Sequence, residues 1–241
     1  MVEDPDTNAA IWKSPEIART FAAQHEQREG RRREQLQLMA RLLPFGAGDT
    51  FTFVDLGAGT GAASRAFLDE YPRAQAVLAE YSPQMTAEGL KLMAAYPGRY
   101  RYVEFDMLSG DWSCFGDQRF DAAVSTLSIH HLPDARKQGI FQEVFQHLQP
   151  GGWYVNFDPV RASDDDVEAI WQRINDRYDP AAAQQREHRT AQELARYHNH
   201  VRYMCPLEPQ LNWLQAAGFQ GVDVYWKRLD YVIYAGYKPA R

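Results

Sequence analysis

Residues 51–71 place a short apolar run, a cluster of glycines and an alanine-rich segment in immediate succession. Phe51-Thr52-Phe53-Val54-Asp55-Leu56 favours a strand through its aromatic and β-branched side chains. Gly57-Ala58-Gly59-Thr60-Gly61 breaks it, and Ala62 to Tyr71 suits a helix until Pro72 ends it. Strand, tight turn and helix in that order bring backbone amides close to a ligand. The helix N-terminus then favours negative charge there.

Further units of the same kind follow. Ala76-Val77-Leu78-Ala79 reads as a buried strand ending in Glu80, after which Ser82 caps a helix with Pro83 at its first position. Tyr100 to Phe105 alternates as a third strand ending in Asp106, and Phe120 to Ser125 is the fourth. Beyond Pro133 a helix sets Ile140, Phe141, Val144, Phe145 and Leu148 on one face, Pro150-Gly151-Gly152 stops it, and Trp153 to Phe157 is the fifth strand. Strands alternating with helices predict a parallel sheet with right-handed crossovers.

The flanks are different in character. Residues 1–45 read as a polar helical cap with Leu36, Met39, Leu42 and Leu43 at helical spacing, and 50–160 hold the core. Residues 161–210 form a helical, aromatic-dotted stretch with Trp171, Tyr178, Tyr197 and Tyr203. With Tyr225 and Trp226 these aromatics suggest a lid over the carboxyl edge of the sheet. Within 211–241 the last helix, to which Leu207, Leu211 and Leu214 belong, stops at Gly218. Val222 to Trp226 and Tyr231 to Tyr237 then pair as a terminal hairpin. All four segments read as one domain.

Composition excludes several classes. The 241 residues carry a net charge of −6, which argues against a general nucleic-acid footprint, and Arg28 with Arg31-Arg32-Arg33 reads as a solvated helix face. No run approaches the roughly 18 apolar residues of a membrane span. Cys114 and Cys205 form no disulfide framework or zinc cluster. With the acidic opening Glu3-Asp4-Pro5-Asp6, unlike a signal peptide, they point to a reducing, cytoplasmic setting.

By itself the glycine turn is ambiguous. Gly57-x-Gly59-x-x-Ala62 satisfies a dinucleotide fingerprint, and Glu80 stands near the spacing of a ribose-binding acid, so a nicotinamide-dependent oxidoreductase is one reading. Three details point elsewhere: Gly61 makes the turn G-x-G-x-G, Asp55 precedes it, and Asp106 ends the third strand. With VDLGAGTG, AEYSPQM, FDML, FDAAVSTLSIHHLP and LQPGGWYVNFD in this order, residues 50–160 resemble the class I S-adenosylmethionine-dependent methyltransferases.

That resemblance implies a Rossmann-like α/β fold with a seven-stranded, mostly parallel sheet, an antiparallel C-terminal hairpin and a helical lid. It implies S-adenosylmethionine as cofactor, its methionine part carried by Asp55, Gly57, Ala58, Gly59 and Gly61. Both ribose hydroxyls would meet Glu80, and the adenine amine Asp106, with Met107 flanking the ring. Carboxylates suit both tasks because they accept from several donors. Tyr81, Met85 and Ser125 complete the implied contact set. His25-Glu26-Gln27-Arg28 is similar to an aromatic-acid-x-arginine element of some relatives, in which Arg28 would face the cofactor's carboxylate.

For the reaction, His130 and His131 are the candidate bases, just past the fourth strand at the carboxyl edge. His130 is expected toward cofactor and substrate, His131 in a structural role. His188 and His198-Asn199-His200 lack a carboxylate at metal-ligand spacing and read as surface or lid positions, so no metal is expected. Asp164-Asp165-Asp166 reads as a helix start. A small-molecule acceptor is expected, its atom and the oligomeric state being silent in the sequence. Three alternatives are a cofactor-modifying or tRNA-related relative making carboxylated S-adenosylmethionine, with Arg161 or Arg202 beside the methyl position, a non-catalytic cofactor-binding module, and the oxidoreductase.

Overall fold

The computed structural model describes residues 13–240, apart from some side chains in the helices Pro15–Arg41 and Ala191–Val201. Seven strands, β1 (Thr52–Leu56), β2 (Gln75–Glu80), β3 (Tyr100–Glu104), β4 (Phe120–Thr126), β5 (Leu148–Pro159), β6 (Gln220–Arg228) and β7 (Tyr231–Tyr237), form one sheet in the order β3-β2-β1-β4-β5-β7-β6. β1 to β5 run parallel, and β7 lies antiparallel between β5 and β6. The order reverses beside β1, whose neighbours are β2 and β4. Ligands bind at such a switch point, outside the carboxyl ends of the strands.

Among the described residues eight α-helices flank the sheet: α1 (Pro15–Arg41), α2 (Ala62–Glu70), α3 (Pro83–Leu92), α4 (Asp134–His147), α5 (Asp165–Tyr178), α6 (Pro180–Glu187), α7 (Ala191–Val201) and α8 (Leu207–Ala217). On one face Leu36, Met39 and Ala40 of α1, Leu43 just beyond it, and Phe67 and Leu68 of α2 pack with Phe53, Val124 and Val155. On the other, Ile140, Phe141 and Val144 of α4 and Leu214 of α8 pack with Val54, Ala123 and Tyr154. Central strands covered on both faces explain why β1 and β2 read as continuous apolar runs.

Local signals set the element ends. The Ser82 hydroxyl accepts from the Met85 amide at 3.2 Å with Pro83 at the start of α3, and Asp164 caps α5 through the amides of Asp166 and Val167. Gly218 closes α8 at φ 109°, where a side chain would be strained. β5 is longer than its apolar run. It begins at Leu148, so Pro150-Gly151-Gly152 lie within the strand, the Gly151 amide donating to the Lys238 carbonyl. Leu148 therefore packs from the strand, not from α4. Among the described residues no helix is long and apolar enough to cross a membrane.

Candidate cofactor and acceptor site

The glycine turn after β1 forms the floor of a cavity of about 180 Å³. Gly57 sits at φ 67°, and a Cβ there would lie 1.8 Å from Ser128 Oγ, so the turn from β4 approaches only because no side chain intervenes. Gly61 precedes α2 at φ 81°; a Cβ on it would press within 2.9 Å of Leu78 and Met93. The cavity is lined by Asp55, Gly57, Ala58 and Gly59, by Glu80, Tyr81 and Met85, and by Asp106 and Met107. All nine were expected from the sequence. Of the remaining three, Gly61 shapes the turn without lining the cavity. Ser125 is fully buried, donates to the Leu56 carbonyl at 3.0 Å, holding β4 to β1, and does not line the cavity. The side chain of Arg28 lies outside the described ones.

Glu80 organises the turn. Its Oε2 accepts from the Gly59 amide and its Oε1 from the Ser82 amide, both at 2.7 Å. Burial raises its pKa, against the pull of those amides. Asp55 is buried, accepts from the Ser64 hydroxyl at 2.7 Å and the Ser64 amide at 3.2 Å, and burial pushes it up to about 6. Its first task is thus to tie β1 to α2. Asp106 is half-buried and uses Oδ1 on the Leu108 amide at 2.8 Å. With Met85 and Met107 supplying apolar surface beside the two acids, the chemistry fits a nucleoside: acids for hydroxyls and an amine, thioethers for a flat ring.

Sequence reasoning missed the brace behind Asp106. Arg136 pairs with Glu143 at 2.6 Å across α4 and donates through Nε to the Met107 carbonyl, while Trp112 Nε1 donates to Glu143 at 2.7 Å. The i, i+7 spacing of Arg136 and Glu143 was the only signal, and nothing in it named the loop they support.

At the other end of the cavity the two histidines exchange their expected places. His131 lines the cavity, whereas His130 is 3% exposed and does not. Asp158, at the end of β5, takes the His130 amide on Oδ2 at 2.8 Å and contacts the His130 ring at Nδ1 with Oδ1 at 2.6 Å. Burial raises Asp158 to about 7 and lowers His130 to about 3, so both groups are pressed toward their neutral forms, the neutral imidazole carrying a single ring proton. With it on Nδ1, Nε2 presents its lone pair toward His200 Nδ1, 3.4 Å away. His200 of α7 packs edge-on against both rings and is lowered to about 4 by burial; burial also holds His131 well below its ordinary value. Asp158 went unrecognised because it is 28 residues from His130. Preceding the histidines, Leu127 adopts φ 55°, costing about 1–2 kcal/mol for a residue with a Cβ.

The aromatics of the expected lid lie elsewhere. None of Trp171, Tyr178, Tyr197, Tyr203, Tyr225 and Trp226 lines this cavity. Lys227 covers the Trp171 ring at 4.1 Å and Arg228 the Tyr178 ring at 4.4 Å, because the β6–β7 hairpin passes beside α5. Tyr178 and Trp226 instead line a second cavity of about 830 Å³ with Arg32, Gln35 and Phe157. Arg161 pairs with Asp165 at 3.1 Å and Arg202 covers Tyr203; neither lines the first cavity.

Residues 53–152 match a family described as "Methyltransferase domain". No curated protein matches the chain in sequence. Among solved structures, an O-methyltransferase family protein from Burkholderia thailandensis superposes with a TM-score of 0.71 at 16% identity, over 98% of this chain and 64% of that one. PigF with SAH gives 0.65 at 15% identity over 95% and 61%, and human N-acetylserotonin methyltransferase in complex with SAM gives 0.62 at 15% over 96% and 58%. The chain thus spans about three-fifths of the length of these structures, and at such identities they share its fold. The glycine turn, the acid ending β2, the acid just after β3, the strand order and the family match agree: residues 53–152 carry a methyltransferase domain of the class I, S-adenosylmethionine-dependent kind.

Proposed function

We propose that the protein transfers a methyl group from S-adenosylmethionine to a small-molecule acceptor. The observation that carries this reading is the convergence of Glu80 and Asp106 on one cavity floored by the glycine turn. Glu80 would hold the ribose hydroxyls and Asp106 the adenine amine, with Met85 and Met107 flanking the ring. S-adenosylmethionine, when bound, supplies an activated methyl carbon open to direct displacement. The protein's main task is then to align the acceptor, which contributes on the order of 7–11 kcal/mol.

His131, which lines the cavity, would meet the acceptor, with His130 and Asp158 behind it to handle a proton. Helices α5–α7 would act as the lid, α7 reaching the histidines through His200. Support for a small acceptor comes from the neighbours' printed names, one of which is N-acetylserotonin methyltransferase, and from the net charge of −6, which disfavours a nucleic acid.

Titration calorimetry with S-adenosylhomocysteine against NAD tests the reading. The expected result is saturable binding of S-adenosylhomocysteine alone. Binding of NAD in its place would overturn it. Native mass spectrometry of the purified protein would then name any acceptor that co-purifies.

A further inference from the structure

Three imidazoles meet where β4, β5 and α7 converge. The candidate ligand nitrogens of His130, His131 and His200 all lie within 4.8 Å of one another. Two are closer still, His130 Nε2 and His200 Nδ1 at 3.4 Å. Two nitrogens each about 2.1 Å from one tetrahedral ion stand about 3.4 Å apart, so this pair already has the spacing of ligands on a shared metal. His200 stands edge-on, at 73° to His130 and 69° to His131, while the His130 and His131 rings pack 3.9 Å apart at 40°.

The support behind the cluster has the form metal sites require. A ligating histidine donates its other ring N–H to a carboxylate, which fixes tautomer and orientation. Asp158 does this for His130, gripping both the ring nitrogen and the backbone amide of the same residue. Asp158 is 1% exposed, so solvent does not compete for the carboxylate.

We propose that His130, His131 and His200 bind a divalent transition-metal ion of the zinc class, with Asp158 orienting His130 and a fourth position facing the cofactor cavity. Three histidines and an open position are the ligand set of sites that take a water or substrate oxygen. His131 stands on the cavity wall, so that oxygen would belong to an acceptor hydroxyl or carbonyl. For a hydroxyl, the ion would lower its pKa so that its proton passes to solvent while the oxygen takes the methyl carbon and the sulfur leaves as S-adenosylhomocysteine. Ion binding stands on the three rings alone; the acceptor's role at the fourth position rests on the methyl-transfer reading.

The test is titration of Co2+ into tag-free, chelator-treated protein, followed by visible absorption, with Zn2+ competition. One equivalent should bind and develop the intense bands of a tetrahedral site, and Zn2+ should abolish them. His200→Ala lies on a surface helix and should leave the fold intact while weakening Co2+ by at least tenfold; His198→Ala, two residues away in sequence but outside the cluster, should not weaken it. Asp158→Asn should weaken it by about 10–100-fold. Equal Co2+ binding by wild type and His200→Ala overturns the proposal. S-adenosylhomocysteine calorimetry on the same samples separates the readings. If the wild type binds S-adenosylhomocysteine but no cobalt, the metal site alone is sunk; if it binds cobalt but no S-adenosylhomocysteine, methyl transfer alone is sunk.

Discussion

Glu80 Oε2 accepts the Gly59 amide at 2.7 Å, so the acid that ends β2 also holds the turn that follows β1. One carboxylate thereby shapes the glycine turn, and in the proposed reading it also presents charge to a ribose. Glu80→Gln keeps the length but sets an NH2 group against the Gly59 or the Ser82 amide. At about 1.5–3 kcal/mol for a hydrogen bond to a charged group, S-adenosylhomocysteine should bind about 10–100-fold more weakly. Calorimetry checks this, and unchanged affinity would remove Glu80 from the site.

Gly57→Ala introduces a Cβ that would lie 1.8 Å from Ser128 Oγ at a φ of 67°. Both the strain and the displaced Ser128 turn act on the cavity floor. Cofactor affinity should fall more than tenfold, with thermal unfolding several degrees lower. Gly98→Ala, also at positive φ but with open space around it, should lower stability only and leave affinity alone.

Asp55 binds its proton more tightly in the fold than in the unfolded chain, since burial raises its pKa from 3.8 to about 6. The stability it contributes is therefore complete below about pH 4 and lost as pH rises through about 6. Asp55→Asn lacks this term. The stability of wild type relative to the variant, read by urea unfolding, should fall by on the order of 2–3 kcal/mol between about pH 4 and about pH 7. Parallel curves would show that Asp55 is not buried as an acid.

His131→Ala should lower turnover about 10²–10⁴-fold while S-adenosylhomocysteine affinity stays within a few-fold. His131 lines the cavity next to Leu132 rather than among the nucleoside acids. Single-turnover kinetics with the acceptor identified by mass spectrometry provide the measurement. A parallel collapse of cofactor affinity would instead place His131 under the nucleoside.

Arg136→Met removes the cation that joins Glu143 to the Met107 carbonyl. The loop carrying Asp106 then loses its brace, though no cofactor-contacting side chain changes. The expected loss is a few-fold to tenfold in cofactor affinity, with faster amide exchange at 106–112. Unaltered exchange there would show that the loop is held by Trp112 packing alone.

Much of the nucleoside end could be read along the chain because each of its parts ends a strand or follows one. Asp55, the glycines, Glu80 and Asp106 sit where an apolar run stops, and parallel strands bring their carboxyl ends to one edge. The histidine end was read less well. Whether His130 or His131 meets the cavity depends on the direction of one short turn after β4, which periodicity over three residues, 129–131, does not report. Ser125 shows the same limit: one residue along a strand reverses the face, and its hydroxyl spends itself on the Leu56 carbonyl.

The order of short-range signals in 51–159, apolar run, glycine or proline stop and helix, was enough to determine parallel β/α units and the acids at their carboxyl ends. Side-chain chemistry and backbone freedom are local properties, and a linear chain records them. Only the tertiary structure decided that Asp158 grips His130, that His200 arrives from α7, and that Lys227 and Arg228 cover the aromatics of α5. Those contacts join residues 28 to 70 positions apart through loops whose paths are set by the packing of whole elements, and no local pattern carries that distance.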